Sequence, residues 1–140
     1  MIEFNYETDF ELLNEDRYRS WITAVILSEN KTLGEINYVF CDDSYLLNIN
    51  QQFLQHDTFT DIISFDYTLG NLISGDIFIS IERVLENATT YNVDFSNELT
   101  RVMSHGVLHY CGYKDKSPEE QLLMRQKENE KISLFHVEQV

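Results

Sequence analysis

Cationic side chains are scarce in this sequence: 10 Lys and Arg stand against 24 Asp and Glu in 140 residues, a formal net charge of −14. Phosphate contacts come mainly from Lys and Arg, so the balance argues against a protein that grips nucleic acid by bulk charge. It leaves open a local basic patch or a metal ion acting on phosphate. Cysteine is scarcer still. Cys41 and Cys111 lie far apart and fit no Cys-rich pattern, so reduced thiols in a cytoplasmic protein are the simplest reading. A single proline, Pro118, and five glycines leave no linker, and no repeat or low-complexity tract interrupts the chain. Positions 1–140 are therefore expected to form a single domain around one core. No apolar run approaches the roughly 20 residues that span a bilayer. The opening MIEFNYETDF has neither the basic region nor the apolar core of a secretory signal. The expectation is a cytoplasmic protein with no membrane partner.

The hydropathy pattern alternates between strand and helix periods. IEFNYE, GEINYVFC, TDIISFDY and GDIFIS read as strands from alternation and from their β-branched and aromatic content. Gly70 and Gly75 are expected to bound the loop between the last two. Tyr18, Trp21, Ile22, Val25 and Leu27 repeat at helical spacing in DRYRSWITAVILSEN. SYLLNINQQFL reads as a helix with Ser44 as N-cap, followed later by SIERVLENATTY. SNELTRVMSHGVLHYC reads as a helix entered at Ser96 and ended by Gly112 at C′. In SPEEQLLMRQKENEKISLF, Ser117 as N-cap, Pro118 at N1 and Glu120 at N3 form a capping box. The order β-α-β-α-β-β-α-α-α predicts an α+β layered domain, with a mixed sheet of about four strands and about five helices.

Chemistry concentrates in HGVLHYCGYKD, from His105 to Asp115. His105 and His109 are four apart, about 6 Å of rise and about 40° of rotation, so both imidazoles leave one face of the helix. Such a pair is often no more than two ordinary helix residues. The wider pattern says more: Gly112 permits a left-handed exit that brings Asp115 back over the histidine face. Two imidazoles and a carboxylate with an open position make a catalytic zinc site, and nickel, iron or manganese suit it as alternatives. The layout matches the extended zincin motif with Gly106 in place of its glutamate and Asp115 in place of its third histidine. That glutamate is the base of the peptidases. Without it the metal site survives, and a water on the ion still approaches a pKa of about 7. Gly106 is also expected to leave space beside the ion for substrate.

HGVLHYCGY resembles the H-G-x-L-H-L-x-G-Y-D-H signature of the YbeY family of ribosomal-RNA maturation endoribonucleases. TDIISF and GDIFIS, at 60–65 and 75–80, are similar to that family's T-D-V-L-S-F and G-D-I-x-I-S. The resemblance covers roughly positions 34 to 131. It implies an α+β fold and a metal-dependent endoribonuclease specific for single strands. The implied role is maturation of the 3′ end of small-subunit ribosomal RNA and ribosome quality control, so the implied partners are single-stranded RNA and the ribosome or its small subunit. The implied metal ligands are His105, His109 and position 115. Lys114 and Asp115 depart from the signature's Asp-His, which makes the third ligand a carboxylate and a zinc-held water less acidic. The family's arginine a few residues before T-D-V falls at Leu54. His56, Lys114, Lys116 and Arg101 are the candidates to take over its work on phosphate charge.

The remaining polar residues carry weaker expectations. His56, in QHDTFTD, is a candidate proton donor, fourth ligand or solvated loop residue. His136 is expected to be structural or exposed, and Cys111 to pack. Asp61 and Ser64 are candidates to shape the site. Asp76 is a candidate to orient a ligand histidine or to stabilise a turn. Two rival functions stay open: a ribosome-assembly or binding factor with a structural metal, and a metallopeptidase.

Overall fold

The computed structural model describes residues 1–54 and 60–137. Among them are four strands, β1 (Ile2–Tyr6), β2 (Thr32–Cys41), β3 (Ile62–Asp66) and β4 (Leu72–Ser80). The five helices are α1 (Glu15–Ser28), α2 (Asp43–Phe53), α3 (Ile81–Tyr91), α4 (Phe95–Tyr110) and α5 (Pro118–Val137). The sheet order is β1-β2-β4-β3, with β3 antiparallel to β4 and the other pairs parallel. This is the expected α+β class with a mixed sheet.

Alternation assigns the two faces of the sheet. Ile36, Tyr38 and Phe40 of β2 and Ile77 and Ile79 of β4 join Trp21 and Ile22 of α1 and Met103 and Val107 of α4 in the main core. The residues between them point the other way, where Cys41, Ile63 and Phe78 pack under Leu46 and Ile49 of α2. Helix α5 buries Met124, Glu128, Lys131, Ile132 and Phe135. That stripe has helical spacing but contains two charges. Lys131 is 0% exposed, and its Nζ donates to Glu29 Oε2 at 2.7 Å and Ser28 Oγ at 2.9 Å. Trp21 Nε1 donates to the Lys131 carbonyl at 2.7 Å. These bonds clamp α5 to the end of α1.

Several local expectations change. Asp42, not Ser44, caps α2, because its carboxylate accepts the Tyr45 N–H at 2.8 Å. Helix α4 begins at Phe95 after Asp94, one residue before Ser96. Leu27 is 60% exposed, and Ile26 takes the inward place in α1. Gly75 does not bound a loop. It lies inside β4, where a Cβ would stand 2.5 Å from the Phe65 carbonyl and the Tyr110 ring. The close approach brings Tyr110 Oη to 3.0 Å from Phe65 O and 2.9 Å from Asp76 O, two carbonyls that share its one proton, which anchors the end of α4 to the sheet. The capping box of α5 forms as expected. Ser117 N–H donates to Glu120 Oε1 at 2.9 Å, and Glu120 N–H donates to Ser117 Oγ at 3.1 Å.

Candidate metal centre

The end of α4 builds the site. Gly112 sits at φ 108°, its N–H donates to His109 O at 3.0 Å, and the Tyr113 N–H donates to Leu108 O at 3.1 Å. That is a Schellman exit, and it turns the chain back along the helix. The returning Tyr113 carbonyl accepts His109 Nδ1–H at 2.9 Å. Asp115 then arrives over the histidines. Its Oδ2 lies 3.2 Å from His105 Nε2 and 3.2 Å from His109 Nε2, and the two Nε2 atoms are 3.0 Å apart. A tetrahedral ion with ligand bonds of about 2.0–2.1 Å spaces its donors about 3.3 Å apart, close to this triangle.

Protonation makes the same point. Glu128 Oε2 lies 2.6 Å from His105 Nδ1, and Glu128 is 4% exposed. Burial works to raise the Glu128 carboxyl, but hydrogen bonds from His105 and Arg101 outweigh it and hold the pKa below its ordinary value. An ionised carboxylate only accepts, so Nδ1 of His105 carries the proton. Both Nδ1 atoms are thus donors, and in the neutral rings both Nε2 lone pairs converge with Asp115 Oδ2 and no proton between them. A cation satisfies that arrangement. The alternative is a proton: burial opposes a charge on His105, yet Glu128 and Asp115 leave its pKa raised. The trio can therefore hold a metal ion, which would compete with protons for the same lone pairs.

The flanking candidates resolve differently. Gly106 does not face the histidine cluster. A Cβ there would meet Ile77 Cδ1 at 3.1 Å and Ile62 Cδ1 at 3.2 Å, so the glycine serves the approach of α4 to the sheet and opens no space for substrate. Arg101 is engaged by Glu128 Oε1 at 2.9 Å and Asn129 Oδ1 at 2.8 Å. It braces Glu128 rather than offering its charge to a phosphate. Asp76 does not orient a histidine. It lines a cavity of about 620 Å³ with Glu3, Asn37 and Tyr67 on the other face of the sheet. Ser64 is exposed on β3, where it pairs with Ile77 of β4. Lys114 and Lys116 are exposed beside Asp115, His136 is exposed against the Phe135 ring, and Leu54 is the C-cap of α2. Cys111 packs against the main core as a free thiol, and burial pushes its pKa up to about 11. His56 lies outside the described residues.

Two hollows meet at the triangle and share His105, Asp115, Arg125 and Glu128. One, of about 290 Å³, runs between α3, α4 and α5 past Asp61, Tyr91 and Glu98. The other, of about 560 Å³, opens over Pro118 and Leu122. Burial raises the carboxyls of Asp61 and Glu98. Two residues escaped the sequence reading. Glu128 stands 23 positions beyond His105 in a helix, with no local pattern to mark it. Arg125, in both hollows, has a side chain 58% exposed and only a 3.8 Å approach to Glu128.

The family model for endoribonuclease YbeY matches residues 3–136. The endoribonuclease YbeY of Flavobacterium psychrophilum is 68% identical over 139 residues, covering 99% of each chain. That of Flavobacterium johnsoniae is 65% identical, covering 99% of this chain and 100% of its own. The solution structure of a Thermotoga maritima protein superposes with a TM-score of 0.73 at 25% identity, over 96% of this chain and 89% of that one. No described helix is long and apolar enough to cross a membrane.

Proposed function

Since the chain belongs to the endoribonuclease YbeY family, we propose that it cuts single-stranded RNA at a zinc ion held by His105, His109 and Asp115. The observation that carries this reading is the convergence of two Nε2 atoms and Oδ2 within 3.2 Å, with both Nδ1 protons already engaged. When bound, the ion supplies Lewis-acid charge to a phosphate oxygen and acidifies water. Two imidazoles and one carboxylate suit zinc among the divalent metals, with nickel, iron and manganese as competitors.

The chain's own residues position and balance this chemistry. Glu128 and the Tyr113 carbonyl fix the ring tautomers, which keeps both Nε2 lone pairs aimed at one point. Arg101 holds Glu128 in place. Arg125 presents its guanidinium where the two hollows join, and it takes over the phosphate contact that Leu54 cannot make. The substrate is ribosomal RNA at the 3′ end of the small subunit, as the sequence resemblance implies, in a cytoplasmic setting at the ribosome. The triangle's side chains are 22–38% exposed, so an ion held there would keep a side open to solvent. An open position suits catalysis, whereas a structural metal is enclosed by four ligands.

The test compares wild type with His109→Ala, both metal-loaded, on a single-stranded ribosomal RNA fragment. Cleavage is expected from the wild type and is expected to vanish in the variant. Equal cleavage by both ends the nuclease reading.

A further inference from the structure

Glu98 is 5% exposed and lines the 290 Å³ cavity. Among the described residues its carboxylate has neither a hydrogen-bond partner nor an ion pair. Its oxygens open onto the cavity, so water or a ligand there supplies their donors. It stands on α4 at offset 0 of the series Glu98, Arg101, Val102, His105. Offsets 0, 3, 4 and 7 share one helix stripe, and seven residues span about 10.5 Å. The cavity therefore runs from the His105–Asp115 side of the triangle to an acceptor about one nucleotide away that has no partner among the described residues.

The other walls say what the donor is. Asn87 and Tyr91, four apart on α3, face the same cavity, and Tyr91 is 60% exposed at its rim. Arg101 and Arg125 also stand in the lining. An acceptor, an amide and a phenol ring together fit a planar heterocycle with a polar edge. Unpaired bases in single-stranded RNA are read in this way, by stacking on aromatic rings and by hydrogen bonds to their Watson–Crick edges. A carboxylate accepts two parallel bonds from adjacent N–H groups. Guanine alone among the four bases presents such a pair, N1–H beside the N2 amino group. The cavity's volume lies near the lower end for small-ligand pockets, about 300 Å³.

Resting on the nuclease reading above, we propose that this cavity receives the base of a guanosine flanking the cut phosphate, with Glu98 as the acceptor that recognises it. Tyr91 stacks at the rim, and Asn87 bonds the remaining polar edge.

The test uses the zinc-loaded chain and a single-stranded oligouridylate carrying one guanosine, with products mapped to the nucleotide. Hydrogen bonds to a charged group are strong enough that cleavage is expected about tenfold or more faster beside the guanosine than elsewhere. Glu98→Gln is expected to flatten that preference, because an amide offers one acceptor in place of two. Uniform cutting by the wild type overturns the proposal, as does a guanosine preference that survives Glu98→Gln. Calorimetric binding of guanosine and uridine 5′-monophosphates gives a readout that needs no turnover. A preference of about tenfold for guanosine monophosphate is expected, and equal affinities overturn the proposal even if Glu98→Gln fails to fold. If the wild type binds guanosine monophosphate selectively but cuts no RNA, the nuclease reading fails and the base pocket stands. A second zinc equivalent lost in Glu98→Gln would assign the carboxylate to a cation instead.

Discussion

Glu128 offers the sharpest test of how the site is held. One of its oxygens faces His105 Nδ1 at 2.6 Å and the other faces Arg101 at 2.9 Å, and the residue is 4% exposed. Glutamine has a single acceptor oxygen. In Glu128→Gln either His105 or Arg101 must confront an amide N–H, so one donor loses its partner. Groups that orient a ligand histidine typically carry about 10- to 100-fold of metal affinity, or about 1.4–2.8 kcal/mol. The glutamine variant keeps one bond and belongs near the tenfold end. Glu128→Ala loses both and belongs near the hundredfold end. It also strands a largely buried guanidinium, and breaking a buried pair costs about 3 kcal/mol of folding stability. The assay is zinc competition against a chelator of known affinity, where circular dichroism shows each variant folded. Unperturbed zinc affinity in folded Glu128→Ala would refute the claim that this carboxylate sets the ring tautomer.

Four further outcomes follow from the same geometry. Asp115→Ala is expected to lower zinc content by elemental analysis and Asp115→His to restore it, whereas unchanged stoichiometric zinc in the alanine variant removes Asp115 from the ligand set. Gly106→Glu is expected to unfold the chain rather than create a peptidase, since it drives an unpaired carboxylate against Ile62 and Ile77 at a cost of several kcal/mol; a folded, peptide-cleaving variant in thermal melts and protease assays refutes this. Burial works to raise Glu29, but bonds from Lys131, Tyr113 and Lys127 leave its pKa below 4.5, so its contribution to stability is present above that pH and is lost as the pH falls through the lowered value. Lys131→Met is expected to cost about 3 kcal/mol and to flatten that acid limb of the melting curve, and an identical pH profile to wild type would contradict the assignment. Arg125→Gln is expected to reduce the slope of log affinity for single-stranded RNA against log salt by about 0.7, the share of one phosphate, whereas Arg19→Gln on a distant face leaves the slope unchanged; equal slopes for Arg125→Gln and wild type rule out a phosphate contact.

Much of the fold was legible because it was written locally. The capping box at Ser117, the alternation in β2 and β4 and the glycine exit at position 112 each follow from residues within a turn of one another. The convergence of His105, His109 and Asp115 was legible for the same reason, since the three side chains come from eleven consecutive residues, His105 to Asp115. What could not be read depends on which elements meet. Gly75 and Gly106 look alike in the sequence as breaks in apolar runs. Only the packing shows that one makes room for the Tyr110 ring and the other for two isoleucines. Arg101 reads as a free cation one turn before His105 until α5 arrives with Glu128 and Asn129.

Helix α5 also explains how an acidic chain keeps a site for a polyanion. Its inward stripe replaces two apolar places with Glu128 and Lys131, each 4% exposed or less and each ion-paired. Lys131 ties α5 to the end of α1, while Glu128, three residues earlier on nearly the same face, reaches His105. The stability clamp and the tautomer brace thus share one rigid segment. Arg125, one turn before Glu128, rides on that segment toward solvent. Negative charge elsewhere therefore need not defeat RNA binding, because Arg125 lies with His105 and Asp115 on one short arc where the two hollows join. The Debye length is about 8 Å at physiological ionic strength, so distant surface carboxylates are largely screened from that arc. The net charge of −14 therefore bears on association rate at low salt more than on the cleaved position.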